Sequence, residues 1–232
     1  MSGVLPPGHM LKGEIEASEE LKVSRSAYRE SVRILTAKGL VQSRTKLGTW
    51  VNARDKWALL DPEVLAWAFA GEPDPSLVRD LFELRGVVEP AAAALAAARR
   101  SGADLALMGH ALEEMARHTL ATTEGQLADQ AFHRLILDAA NNEPLKCLAS
   151  SITAVVSWTT QYKTRKRMLR DSIPEHRALF DAIAAGDPDR AHKAMTVLVQ
   201  HAQEDTSIAL TSPTVNEAIG GGAGARGKPA KP

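Results

Sequence analysis

Alternation of Val, Ile and Thr is scarce along this chain, and long helical patterns recur. A repeat of three to four residues buries one stripe of a helix, whereas a strand buries every second residue. The spacing predicts short helices over 14–21 and 25–38 and another starting near Asp61-Pro62. Longer ones follow over 76–99, 103–121, 124–139, 143–168, 173–185 and 188–208. The breaks SGAD, TTEG, NNEP, DSIP and GDPD each carry capping or turn chemistry. Only LVQSR and TWVNA read as strands, around TKLG, a hairpin with a glycine near its tip. Ser24 is the expected N-cap of the 25–38 helix and Gly39 its C′ residue. Val32, Leu35 and the Ala27–Ser31 stretch are its expected inward side.

The predicted fold is mostly α. A winged helix-turn-helix over residues 1–58 precedes an all-α antiparallel bundle over 59–212, and a Gly/Ala/Pro/Lys-rich tail over 213–232 is expected to be disordered. Composition agrees, because Ala and Leu dominate and aromatics are only 4%. The single cysteine, Cys147, forms no internal disulfide and fits a reducing cytoplasm. There is no apolar run of membrane-spanning length and no leader pattern, so neither membrane nor export is expected.

Charge changes the picture more. The whole chain is neutral, but residues 1–58 hold ten Lys/Arg against six Asp/Glu. A basic front with an acidic rear points the front alone at a polyanion. Arg25, Arg29 and Arg33 recur every fourth residue and share a helix face. Arginine near the start of a helix lying in the major groove reads guanine through two bonds. Arg25 and Arg29 are thus candidate base readers, with Ser24, Ser26 and Arg33 as phosphate or base contacts. Lys46 and Gly48 on the turn would follow the backbone. Taken alone, the spacing also describes a solvated basic face, and the adjoining hairpin favours DNA.

The stretch VSRSAYRESVRILTAKGLVQSRTKLGTWV resembles the winged-helix core of the GntR family of bacterial transcription regulators, through VSR, YRE, GLV and GTWV. That resemblance implies DNA contacts by Arg25, Arg29 and the wing around Lys46–Gly48. Family members carry a helix before the G-x-L-x-P-G turn. Here SGVLPPG begins at residue 2, so the first helix is expected to be truncated.

In the rear, Asp129 and His133 stand four residues apart, and His176 opens a later helix. The spacing suits either a hydrogen-bonded pair or one shared metal ion. Arg85 falls on an apolar stripe and needs a partner, either Glu89 four residues on or a bound carboxylate. Trp158 and Gln161 are weaker candidates for a cavity wall, and Trp158 also reads as plain core.

The segments ELRGVVEPAAAALAA, ADQAFHRLI and EHRALFDAI resemble the FadR-type effector domain, which implies a divalent metal (Zn, Mn or Ni) on Asp129, His133 and His176. The family's fourth ligand position is Leu198 here. His201, one turn on, is misdirected by about 60° at 3.6 residues per turn. The resemblance further implies that Arg85 lines the effector cavity, and it is closest to regulators of sugar-acid catabolism, the galactonate-operon repressors in particular. The expected protein is a homodimeric, DNA-binding repressor released from its operator by a sugar acid. A metal-dependent hydrolase and a metal sensor are the alternatives.

Overall fold

A computed structural model describes residues 5–212. The chain folds as two compact units, with the boundary between Pro73 and Asp74.

The first unit opens with residues 8–11 running antiparallel to a later strand, through Gly8 N–H to Val51 O (2.8 Å) and Leu11 N–H to Thr49 O (2.8 Å). Helix α1 (Glu14–Glu20) and helix α2 (Arg25–Ala37) follow, and they pack on each other. The Ser24 hydroxyl caps α2 by accepting from Ala27 N–H at 3.1 Å, as expected. Strands β1 (Val41–Arg44) and β2 (Gly48–Val51) pair antiparallel, Val41 opposite Val51 and Arg44 opposite Gly48. A three-residue turn joins them, with Lys46 left-handed at φ 66°. Gly39 turns the chain from α2 into β1 at φ 72°, where a Cβ would lie 2.1 Å from the Lys56 carbonyl oxygen. Only glycine fits there. Helix α3 (Pro62–Phe69) starts on an Asp61 cap.

Two expectations change. The inward side of α2 is Tyr28, Val32 and Leu35, each half-buried, whereas Ala27 and Ser31 are exposed. At 100° per residue, 28, 32 and 35 form one stripe, and 27 and 31 lie beside it. The first compact unit also runs to Pro73 rather than ending at residue 58. Lys38, on α2's C-cap, bonds both Asp61 carboxylate oxygens at 2.8 Å and Glu63 at 2.6 Å, and so ties the start of α3 to this unit.

The second unit is all helix: α4 (Pro75–Arg99), α5 (Gly102–His118), α6 (Thr123–Ala139), α7 (Glu143–Arg165), α8 (Ile173–Ala185) and α9 (Pro188–Thr211). Four of the five breaks supply a side-chain N-cap, and in DSIP Ser172 makes none while Asp171 accepts from Ile173 N–H at 3.0 Å. Ser101 forms a reciprocal capping box with Asp104, and Thr122, Asn142 and Asp187 each accept from their own helix. Helix α4 is central, packing on α6, α7, α8 and α9. Its Ala92, Ala93, Ala96 and Ala97 are wholly buried, and such small side chains let neighbouring backbones approach closely. At its end Arg99 donates to Ala140 O (2.9 Å) and Arg100 to Ala184 O (2.9 Å), capping α6 and α8 with positive charge. The tail over 213–232 lies outside the described residues.

Candidate functional site

Helix α6 carries Asp129 and His133 on one buried face, and α8 brings His176 up to them. One ligand atom from each lies within 4.8 Å of the other two. His176 Nε2 is 3.1 Å from Asp129 Oδ1, and His133 Nε2 is 3.6 Å from the same oxygen. The outward nitrogens fix the tautomers. His176 Nδ1 donates to the Ser172 carbonyl at 2.8 Å, and His133 Nδ1 donates to Glu89 Oε2 at 2.5 Å. A ring without a proton on Nε2 turns a lone pair inward, onto a carboxylate that also only accepts, whereas a ring that carries one donates to Asp129. Three converging acceptors repel one another unless a cation or a proton sits among them. The donor set and its outer partners suit a divalent ion.

Glu89 joins this cluster to Arg85, whose Nε donates to Glu89 Oε1 at 2.5 Å. Burial by itself would push the Glu89 carboxyl up, but Arg85 and His133 outweigh it and hold the pKa down at about 2. Asp129 is lowered too, since the His176 hydrogen bond and the charges of His133 and Arg85 overcome its burial. Arg85 also stacks over Phe82, with 5.1 Å from its guanidinium to the ring centroid.

Asp129, His133, His176 and Arg85 line one small, partly open cavity of about 30 Å³, room for roughly two waters. Arg85 thus meets both sequence expectations: it is paired with Glu89 and it faces the cavity. Helix α7 contributes Val156, Thr159, Thr160 and Lys163 to the wall. Trp158 and Gln161 are not among the residues that line the cavity. Trp158 is half-buried outside the cavity, and Gln161 donates to Ser157 Oγ at 3.0 Å. The phase of α7 against α6 and α9 turns 156, 159, 160 and 163 inward. Leu198 lines the cavity, so hydrocarbon does stand at that position. His201 offers no substitute, because it faces outward and bonds Glu175 at 3.1 Å.

The cavity shares Leu120, Leu169, Arg170 and Ser172 with an open groove of about 360 Å³. Arg170 is held there by Asp205 at 3.1 Å and by Glu175. Glu89, Lys163 and Arg170 were not foreseen. Glu89 appeared in the sequence only as a partner for Arg85, and its bond to His133 spans 44 positions. No local signal marks such a contact.

In the first unit, the expected DNA contacts Ser24, Arg25, Ser26, Arg29, Arg33, Lys46 and Gly48 are all exposed. Arg25 has no hydrogen-bonded protein partner among the described residues, Arg29 forks onto Glu14 (2.7 and 3.2 Å), and Arg33 pairs with Glu30 at 3.3 Å. Gly48, at φ 95°, is crowded by the Met10 methyl, which a Cβ would meet at 2.8 Å. Tyr28 anchors α2 from the other side, donating to Lys12 O at 3.0 Å.

A helix pair with a two-stranded wing, followed by a helical bundle with a polar centre, describes a winged-helix regulator with a sensing domain. The FCD domain model matches residues 80–201, and the chain belongs to that family, the FCD-containing branch of the GntR-type transcription regulators. It is 33% identical over 199 residues to the galactonate operon transcriptional repressor of Escherichia coli, covering 85% of this chain and 87% of that one. Among solved structures, Streptococcus agalactiae GntR matches with a TM-score of 0.51 at 27% identity, covering 86% of this chain and 91% of that one. Lar of Listeria monocytogenes reaches 0.64 at 21% identity over 89% and 90%, which shows the shared fold alone. The chain is therefore a DNA-binding transcription regulator and not an enzyme, which removes the hydrolase alternative. No helix among the described residues is long and apolar enough to cross a membrane.

Proposed function

We propose that this regulator is a homodimeric repressor whose DNA grip is loosened by a small carboxylate effector, of the sugar-acid class, bound in the second unit. The observation that carries the reading is the convergence of Asp129, His133, His176 and Arg85 on one buried cavity. A divalent ion on those three side chains would supply Lewis-acid attraction for a carboxylate. Arg85 adds a guanidinium whose Nη atoms have no protein hydrogen bond among the described residues. The name of the Escherichia coli relative, a galactonate operon repressor, supports the sugar-acid class.

The cavity is far smaller than a six-carbon acid, so binding such a ligand favours a state with displaced walls. That difference in affinity between two states is what a switch requires. A hundredfold preference corresponds to ~2.7 kcal/mol of coupling to DNA release. In the first unit, Arg25 and Arg29 at the start of α2 would read base edges, and Ser24, Ser26, Arg33, Lys46 and Gly48 would hold phosphates. A symmetric dimer would place two such helices on the half-sites of a near-palindrome. In the cell this would take place in the cytoplasm.

The test is a gel shift with the protein's own upstream DNA, titrated with aldonates in metal-loaded and chelator-treated samples. Release by an aldonate in the loaded sample alone is expected. Release by chelation with no response to any acid would make the protein a metal sensor. No response to either would remove the effector reading.

A further inference from the structure

The charges around the cavity do not all balance. Arg85 is met by Glu89, and Arg170 by Asp205 and Glu175. Lys163, on α7, lines the same cavity and is only 8% exposed. No carboxylate oxygen lies within 4.0 Å of its ammonium among the described residues, and it makes no hydrogen bond to the protein. The nearest acids by electrostatic effect, Asp205 and Asp129, are already engaged by Arg170 and His176. Burial accordingly lowers the pKa of Lys163. One turn back, the buried Thr160 also lines the cavity, and its hydroxyl has no protein partner among the described residues.

A buried ammonium without a counter-ion is costly, and a fold keeps one where a ligand anion completes it. We propose that Lys163, with Thr160 beside it, is a second anion-recognition point in the effector cavity, and that the effector carries a second acidic group besides the carboxylate taken by the metal and Arg85. This rests on the effector reading above and narrows it, from sugar acids in general to acids charged at two points, such as aldarates or phosphorylated aldonates. The two points also explain selectivity. A monoacid leaves Lys163 unpaired, whereas a diacid satisfies it.

Calorimetric titration of the metal-loaded full chain with galactonate, galactarate and 6-phosphogluconate tests this. The expected result is a tenfold or greater preference for one of the doubly charged acids, with the choice between the two identifying carboxylate or phosphate at the second point. Lys163→Met should remove that preference by weakening the diacid far more than galactonate, and leave the bound metal, measured by mass spectrometry, unchanged. Lys163→Arg should retain part of it. Lys163→Gln is the second charge-removing variant, should Met melt early. Equal binding of mono- and diacids by the wild type overturns the proposal, as does a preference that survives Lys163→Met, and either result leaves the effector reading standing. Binding of none of the three acids overturns both.

Discussion

The two units use the same ion pair in opposite settings. Arg29–Glu14 in the first has side chains 66% and 34% exposed, and Arg85–Glu89 in the second has side chains 3% and 2% exposed. In water an arginine exchanges one carboxylate for another anion at little cost, because screening keeps the attraction weak. On the proposed DNA reading, Glu14 would hold Arg29 until a phosphate or base edge replaced it. Away from water the same exchange is expensive. Glu89 is therefore a permanent partner, and it bridges Arg85 and the His133 ring. Burial separates an arginine free to exchange partners from one fixed beside the Asp129, His133 and His176 cluster.

The largest expected effect tests the buried side. Arg85→Met should destabilise the protein by about 3–5 kcal/mol, because it strips the guanidinium from the buried Glu89, and a joint Arg85→Met, Glu89→Met change should recover much of that. Denaturant melts measure both, and a single variant as stable as the wild type would erase the contrast. Acid probes the same pair. The folded Glu89 carboxyl titrates at about 2 against an ordinary 4.5, so its stabilisation is complete above pH 4.5 and disappears as pH falls towards 2. About 3 kcal/mol should be lost across that window, and Glu89→Gln should flatten the slope of stability against pH there.

The exposed side should respond in binding and hardly in stability. Arg25→Ala or Arg29→Ala should weaken operator binding roughly tenfold or more and leave the melting temperature close to wild type. Fluorescence anisotropy with labelled operator reads the first, and a thermal scan the second. Smallest is Glu14→Gln. Freeing Arg29 from its competitor should strengthen operator binding by a factor of about two to three at low salt, fading as salt rises. Unchanged affinity would mean that Arg29 does not reach the duplex.

The helices were legible in the sequence because their starts are chemically marked. Ser24, Ser101, Thr122, Asn142 and Asp187 all cap where the breaks were read. Ends were less clear where no glycine or proline stands. Helix α7 stops at Arg165 rather than 168, because the chain turns through Arg167 at φ 56°, within a run of good helix formers. Helix α5 likewise stops at His118, with Thr119 at φ 60°. Asp129 and His133 could be read together because four residues make one helical turn, and the resemblance added His176. The other side of the cavity could not be read. Which of Trp158, Thr159 and Lys163 faces inward depends on how α7 is rotated against its neighbours, and nothing local to α7 encodes that. Glu89 was weighed as a salt bridge within one helix, and its second bond, to another helix, changes its meaning.

The paired arginines at the end of α4 have a mechanical consequence. Arg99 grips the last turn of the helix that carries Asp129 and His133, and Arg100 grips the last turn of the helix that carries His176. At a rise of 1.5 Å per residue, the grips lie roughly 10–12 Å along each helix from the nearer histidine. Two rods pinned side by side at one end cannot slide apart. On the proposed effector reading, a guest wedged between their free stretches would swing them about that end, with α4 as the pivot.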